Sequence, residues 1–319
     1  MKKDSTEAVD VSVLIVNYHT LNFTKDAVKS FMEKSSGFSY EILIIDNSCD
    51  DQEYQALLTA FQDFPAIHVY QTASNIGFGQ ANNLGASKAK GQYLYLLNED
   101  TMLINNACYY LLQFLSTHPR ASMATSNLYS KDLKPTSSFD SRERNIKQEK
   151  KNASLRSMLY KKTTKKIRHA FNYSNEPCQI YGFAIAASTL VRKEDFEAVG
   201  GFDKDIFLYS EDCLLCYEIL HVLKKEIWSV PSSRVIHLEG MADKGKQTSL
   251  FKARAAMHGQ YIYFLKAFGK EEAIVSLKIQ RKAHQKYRLL YRLAGKKENV
   301  VSQSNYLQAI DEELAKYGN

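Results

Sequence analysis

No stretch of the 319-residue sequence approaches the roughly 20 consecutive apolar residues that a membrane-spanning helix needs. The N-terminal run is interrupted by Asp4, Glu7 and Asp10, which excludes the apolar centre of a secretory signal. The expectation is a soluble or peripheral protein, cytoplasmic and at most in contact with the inner face of a membrane. Cysteine is sparse. Cys49, Cys108, Cys178, Cys213 and Cys216 are odd in number and scattered, so they fit no disulfide framework and point to a reducing compartment. Cys213 and Cys216 form a lone C-x-x-C without the second pair or matching His of a zinc site, and ordinary buried thiols are expected there. The G-x-G-x-x-G spacing after the first strand is absent, which disfavours a dinucleotide dehydrogenase, and no Walker-type phosphate loop occurs. There are no internal repeats.

What the chain does contain is ordinary for a globular protein, with 45% hydrophobic and 24% charged residues. Its 20 tyrosines suit both binding surfaces and domain margins. Val11 to Val16 reads as a buried strand, followed by a helix over Thr20 to Lys34. Strands are expected at Glu41 to Asp46, Ile67 to Tyr70 and Tyr93 to Leu97, with helices at Asp50 to Phe61 and Gln80 to Lys88. Such alternation implies an α/β fold with a mostly parallel sheet. Farther on, Tyr181 to Val191 reads as a strand and Lys193 to Val199 as a short helix. Glu211 to Lys224 reads as a helix, Glu226 to Val230 as a strand, and Val235 to His237 as another strand end. Beyond Thr248 the chain reads as entirely helical.

In parallel sheets ligands bind beyond the carboxyl ends of the strands. Three of those ends carry polar clusters: Asn17-Tyr18-His19, Asp46-Asn47-Ser48 and Asn98-Glu99-Asp100-Thr101. Asp46 could accept the imide N–H of a uracil or thymine ring, or the cluster could simply cap the next helix. Asn75-Ile76-Gly77-Phe78-Gly79, followed by Asn82 and Asn83, would let backbone approach an anion at a helix start. Asn98, Glu99 and Asp100 could hold Mg²⁺ or Mn²⁺ against a diphosphate, or form a solvated turn. His237 ends a strand and could be a metal ligand or a packed histidine. Glu211 and Asp212 open a helix, where acids either balance the helix dipole or serve as a general base.

Residues 131–170 hold thirteen Lys or Arg against four Asp or Glu and read as a mobile basic loop, with a short helix near Leu155 to Leu159. Lys161, Lys162, Lys165 and Lys166 could attract an acceptor diphosphate or anionic lipid. Ile279, Ala283, Tyr287, Leu290 and Ala294 fall on one helical face amid basic residues. That stripe could lie on a membrane, on the catalytic domain or on a second copy of the chain.

Four blocks in order carry a family resemblance: VSVLIVNYHT at 11–20, ILIIDNSCD at 42–50, SNIGFGQANNLGASKAKGQYLYLLNEDT at 74–101, and GGFDKDIFLYSEDCLLCYEI at 200–219 with VIH at 235–237. The chain resembles the family 2 inverting glycosyltransferases with the GT-A fold, in the rhamnosyltransferase-like bacterial branch, over residues 10–270. The resemblance implies a GT-A catalytic domain over 1–245, including the basic loop, and a C-terminal helical region over 246–319. It implies that Asn17, Tyr18, Asp46, Asn47, Asn75, Gly77, Asn82 and Asn98 bind the nucleotide sugar. Asp100 and His237 would hold Mn²⁺ or Mg²⁺, Asp212 would be the catalytic base, and Glu211 would support it. The implied partners are a dTDP- or UDP-linked donor and a glycan or lipid-linked glycan acceptor, with no nucleic acid. The chain departs from the family at Glu99, where Pro is usual. Leu214 stands at a common Asp, Glu218 at a usual Arg, and Leu238 at the second of two His. The rival readings are a sugar nucleotidyltransferase, against which the missing Gly-rich Arg loop counts, and a non-catalytic nucleotide-sugar-binding protein.

Overall fold

In a computed structural model that describes residues 9–154, 169–238 and 247–318, β1 (Val11–Asn17) is buried at every position. A strand buried on both faces belongs inside a parallel sheet, where its apolar side chains need not alternate with polar ones. β1 lies between β2 (Tyr40–Asp46) and β4 (Tyr93–Leu97), parallel to both, and β3 (Ile67–Gln71) extends the same set beyond β2. The sheet continues past β4 through β10 (Ser188–Arg192), β6 (Ala121–Tyr129), β11 (Glu226–His237) and β5 (Thr101–Leu103), with β8 (Cys178–Ile180) also on β11. The pairings make β1, β2, β3, β4, β6 and β11 run one way and β5, β8 and β10 the other. The sheet is thus mixed but mostly parallel.

Period-two alternation sends Val13 and Ile15 to one face and Leu14 to the other. The first face packs on α1 (Leu21–Lys34), α2 (Asp51–Phe61) and α4 (Ala107–Thr117) through Phe31, Leu57 and Leu111. The second face meets α3 (Phe78–Lys88), α6 (Lys193–Ala198) and α7 (Glu211–His221) through Ala86, Phe196 and Leu215. Each fully buried aliphatic side chain contributes about 1.5–3 kcal/mol. That burial holds the strand ends rigid.

α8 (Leu250–Phe268), α9 (Lys270–Leu293) and α10 (Lys297–Tyr317) pack against one another and against α7. Their shared core joins Ile206, Cys213 and Leu214 to Met257, Phe264, Leu277 and Ile310. Of the expected apolar stripe, Ala283 is buried, Ile279, Tyr287 and Leu290 are half-buried, and Ala294 is exposed. None of the described helices is long and apolar enough to cross a membrane.

Three expectations need correction. The described part of the basic segment is not loop throughout, since it carries β7 (Phe139–Asp140) and α5 (Ile146–Asn152), with Arg144 bonded to Glu149 of α5. The helix near Leu155 and the lysines from Lys161 to Lys166 lie outside the described residues. The strand expected over Tyr181 to Val191 is split into β9 (Phe183–Ala184) and β10. Gly182 meets the backbone of Asp140 and Arg142 so closely that a Cβ would lie 2.1 Å from the Asp140 carbonyl oxygen, and β9 pairs there with β7 instead. The two strand ends expected at 226–230 and 235–237 form one strand, β11, with a register shift between Val230 and Arg234 around Pro231.

Candidate active site

Parallel pairing in register sets Asn17 beside Asp46 at the ends of β1 and β2. Both are fully buried. Asn17 Nδ2 donates to Asp46 Oδ1 and to Glu53 Oε1, each at 2.9 Å. Its Oδ1 accepts from Thr24 at 2.8 Å. Asp46 Oδ1 also accepts from the Ser48 amide at 3.2 Å, and Asp46 Oδ2 has no hydrogen-bond partner among the described residues. An unpaired buried carboxylate oxygen is costly and needs a reason. Capping does not supply one, since Asp50 caps α2 by accepting from the Gln52 and Glu53 amides.

Asn47 clasps the next loop. Its Oδ1 accepts from Thr72 Oγ1 and the Ile76 amide, both at 3.0 Å. Its Nδ2 donates to Asn75 Oδ1 at 2.9 Å, which in turn accepts the Gly77 amide at 3.0 Å. Gly77 has φ +82°, and a Cβ there would sit 2.3 Å from the Phe207 carbonyl oxygen. Only glycine fits that approach.

Antiparallel pairing of β5 with β11 sets His237 opposite Thr101. His237 Nε2 therefore stands 3.1 Å from Asp100 Oδ1 and 3.4 Å from Asn98 Nδ2. His237 Nδ1 and Asn98 Oδ1 are buried without hydrogen-bond partners among the described residues. The Asp100 carboxylate and the His237 imidazole form a pair of donors suited to a divalent cation that takes its remaining ligands from diphosphate and water. Glu99 beside them is pushed up to about 7 by burial and by the Asp100 carboxylate. Among the described residues, the group of three His, Asp or Glu ligand atoms that clusters within 4.8 Å is a different one, from His19, Asp50 and Glu53. There Asp50 is occupied as a helix cap and Glu53 holds Asn17 and the Leu21 amide.

These strand ends open on a cleft of about 340 Å³ lined by Tyr18, Asn47, Asn75, Gly77, Glu99 and Asp100 on the sheet side. Phe207, Leu208 and Tyr209 wall the other side, with Phe251 and Lys252 from the first turn of α8. Asn17 and Asp46 are not on the lining and stand behind it. Asn82 is buried within α3, donating to the Phe78 carbonyl at 3.0 Å. A basic groove of about 450 Å³ lined by Arg120, Lys224, Lys225 and Glu226 lies at the other end of β11, away from the carboxyl ends of the strands.

Tyr209 and Ser210 adopt φ +70° and +75°, and α7 starts at the next residue. Non-glycine residues held there mark a strained turn. Glu211 is buried, with Oε2 unpartnered among the described residues, and burial plus the neighbouring Asp212 push it up to about 8. Asp212 is half-buried. Burial pushes it up, while hydrogen bonds to Cys213 and the charge of Arg144 pull it back. Neither acid lines the cleft itself. They follow directly behind its aromatic wall.

Sequence reasoning missed Glu53, Arg144, Phe251 and Lys252. Glu53 was findable, since it stands three residues after the cap Asp50, as in a capping box. Arg144 donates to Glu149 at 3.1 Å, Ser210 Oγ at 2.9 Å and Gln260 Oε1 at 2.8 Å, but in the sequence it is one of many basic residues. Nothing near Phe251 or Lys252 signals a site before the helices are packed.

The sheet order, the strand-end cleft and the C-terminal helices define a GT-A-like α/β fold. Glycosyl transferase family 2 matches residues 12–200, more than half of the chain, and the chain belongs to that family. It is 24% identical over 110 residues to the minor teichoic acid biosynthesis protein GgaB of Bacillus subtilis (strain 168). That similarity covers 34% of this chain and 12% of GgaB. The fold is similar to the crystal structure of GalNAc-T7 with UDP, GalNAc and Mn²⁺, at a TM-score of 0.54 and 20% identity. That likeness covers 82% of this chain and 51% of GalNAc-T7. The chain therefore spans about half or less of the length of either relative.

Proposed function

We propose that this family 2 glycosyltransferase moves a sugar, rhamnose or another hexose, from a dTDP- or UDP-linked donor to a hydroxyl of a bacterial cell-surface glycan, with inversion at the anomeric carbon. The observation that carries the reading is the convergence of Tyr18, Asn47, Asn75, Gly77 and Asp100 on one cleft beside the Asp100–His237 pair. The surface-glycan acceptor is suggested by the likeness to GgaB, whose name associates that protein with teichoic acid.

Tyr18 offers the base an aromatic face, while Asp46 and Asn17 brace the strand ends beneath it. Asp100 and His237 would hold Mn²⁺ or Mg²⁺, which supplies positive charge against the leaving diphosphate. Asp212 takes the proton of the attacking acceptor hydroxyl, and Glu211 supports the turn that presents it. Holding donor and acceptor in line supplies much of the rate. The test is thermal unfolding with a panel of dTDP- and UDP-sugars and Mn²⁺. A true donor at 100 times its dissociation constant adds about 2.7 kcal/mol. No shift with any of them, under conditions where the fold is intact, would overturn the reading.

A further inference from the structure

We infer that Lys252, in the first turn of the C-terminal helical bundle, binds the diphosphate of the nucleotide, so that these helices complete the donor site. The inference rests on the nucleotide-sugar reading above. Among the described residues that line the cleft, Lys252 is the one cation, and Glu99 and Asp100 line the same cleft. The charge balance requires a cation there. A nucleoside diphosphate sugar brings two negative charges next to the Asp100 carboxylate, and a single divalent ion leaves a net negative site. An ammonium group removes that excess and adds charge-assisted hydrogen bonds to phosphate oxygens.

The position of Lys252 is built rather than incidental. Its amide donates to the Ser249 hydroxyl at 3.2 Å, which caps α8. Just before the cap, the Thr248 amide donates to Ser302 Oγ at 3.1 Å, and Asn305 Nδ2 donates to the Thr248 carbonyl at 2.8 Å. Ser302 and Asn305 belong to α10, so the last helix of the chain fixes where α8 begins. Next to Lys252, Phe251 meets Phe207 edge-on at 5.6 Å, and the Phe207 carbonyl accepts the Phe78 amide at 3.2 Å. A run of contacts thus leads from α10 through the start of α8 to the glycine loop on the far side of the cleft.

The experiment is calorimetric titration of the full chain with UDP, dTDP and uridine in the presence of Mn²⁺. Lys252→Met keeps the aliphatic stem and removes the charge. It should weaken the diphosphate that binds wild type by about tenfold, the ~1.4 kcal/mol of one charge-assisted contact, and leave uridine affinity unchanged. Lys252→Arg should retain most of the affinity. Asn305→Ala, which loosens the anchor without touching the cleft, should give a smaller loss of the same selective kind. Wild-type diphosphate affinity in Lys252→Met would overturn the inference and leave the nucleotide reading standing. Equal losses for uridine and diphosphate would also overturn it, because Lys252 would then only shape the cleft. If neither UDP nor dTDP binds wild type, the nucleotide reading falls and the inference with it.

Discussion

His237 Nε2 lies 3.1 Å from Asp100 Oδ1, although β11 and the end of β4 are far apart in the chain. The contact exists because β5 turns back from Asp100 and pairs antiparallel with the end of β11. Removing the carboxylate should abolish the metal-dependent part of nucleotide binding. Asp100→Ala is expected to bind UDP or dTDP equally well with Mn²⁺ and with excess chelator. His237→Ala should keep a reduced metal response, since imidazole is the weaker partner for a hard cation. Titration of wild type settles the premise, because affinity unchanged by chelator would mean the acidic cluster holds no ion.

Gly259 on α8 touches the strained turn that walls the cleft. A Cβ there would lie 2.1 Å from the Tyr209 carbonyl oxygen, and neither backbone can yield without moving the wall. Gly259→Ala should cost on the order of 1–3 kcal/mol, as overpacking does, despite the better helix propensity of alanine. Denaturant unfolding measures it. A neutral or stabilising substitution would mean that the contact between α8 and Tyr209 is loose.

The parallel half of the sheet was legible because Val11–Asn17, Tyr40–Asp46 and Tyr93–Leu97 are apolar runs bounded by polar strand ends. The same polarity switch marked Asn17, Asp46 and Asp100. What local pattern could not reveal was which of these side chains reach the cleft. Asn17 and Asp46 Oδ1 bond each other behind the lining, while Asp46 Oδ2 has no partner among the described residues. Asn82 is satisfied inside its own helix. Residues supplied by distant packing, such as Arg144 and Lys252, carry no mark in their neighbourhood. The split of the strand expected over Tyr181 to Val191 was hidden for the same reason, since it depends on where Gly182 meets Asp140.

Arg144 ties the basic segment to α7 and α8 through Glu149, Ser210 and Gln260. Arg144→Met should destabilise the protein by about 3–5 kcal/mol, because it strips the buried Glu149 carboxylate of its ion pair. Glu149→Gln in the same background should recover part of that loss by removing the orphaned charge. Thermal unfolding of the single and double variants reads both. Additive losses would show that the pair is not coupled.

Glu211 makes stability depend on pH in a defined direction. Burial and Asp212 raise its folded-state value from the ordinary 4.5 to about 8, so the folded protein holds this proton more tightly than the unfolded chain. Its contribution is therefore fully present below about 4.5 and is lost as pH rises through about 8. Glu211→Gln keeps the side chain neutral at every pH. The stability advantage of this variant over wild type should grow steadily across that window, as followed by unfolding midpoints. A constant difference would mean that Glu211 is charged in the folded protein throughout.

Asp212, rather than Glu211, is expected to be the general base. Consecutive helical residues point about 100° apart, so the two acids cannot face one hydroxyl together. Glu211 is the more buried of the two, and its Cβ is near the position a Cβ on Gly79 would take. Asp212 is half-buried, and the Cys213 amide donates to its Oδ1 at 2.8 Å. Asp212→Asn preserves size and removes proton-accepting power. It should lower kcat by about 10²-fold or more while the nucleotide still binds. Glu211→Gln should cost less. The assay is turnover of whichever dTDP- or UDP-sugar wild type hydrolyses, run beside calorimetric titration of its nucleoside diphosphate. An active Asp212→Asn with a dead Glu211→Gln would reverse the two roles. Loss of nucleotide binding in parallel with kcat would move Asp212 from the proton-transfer role to the donor site.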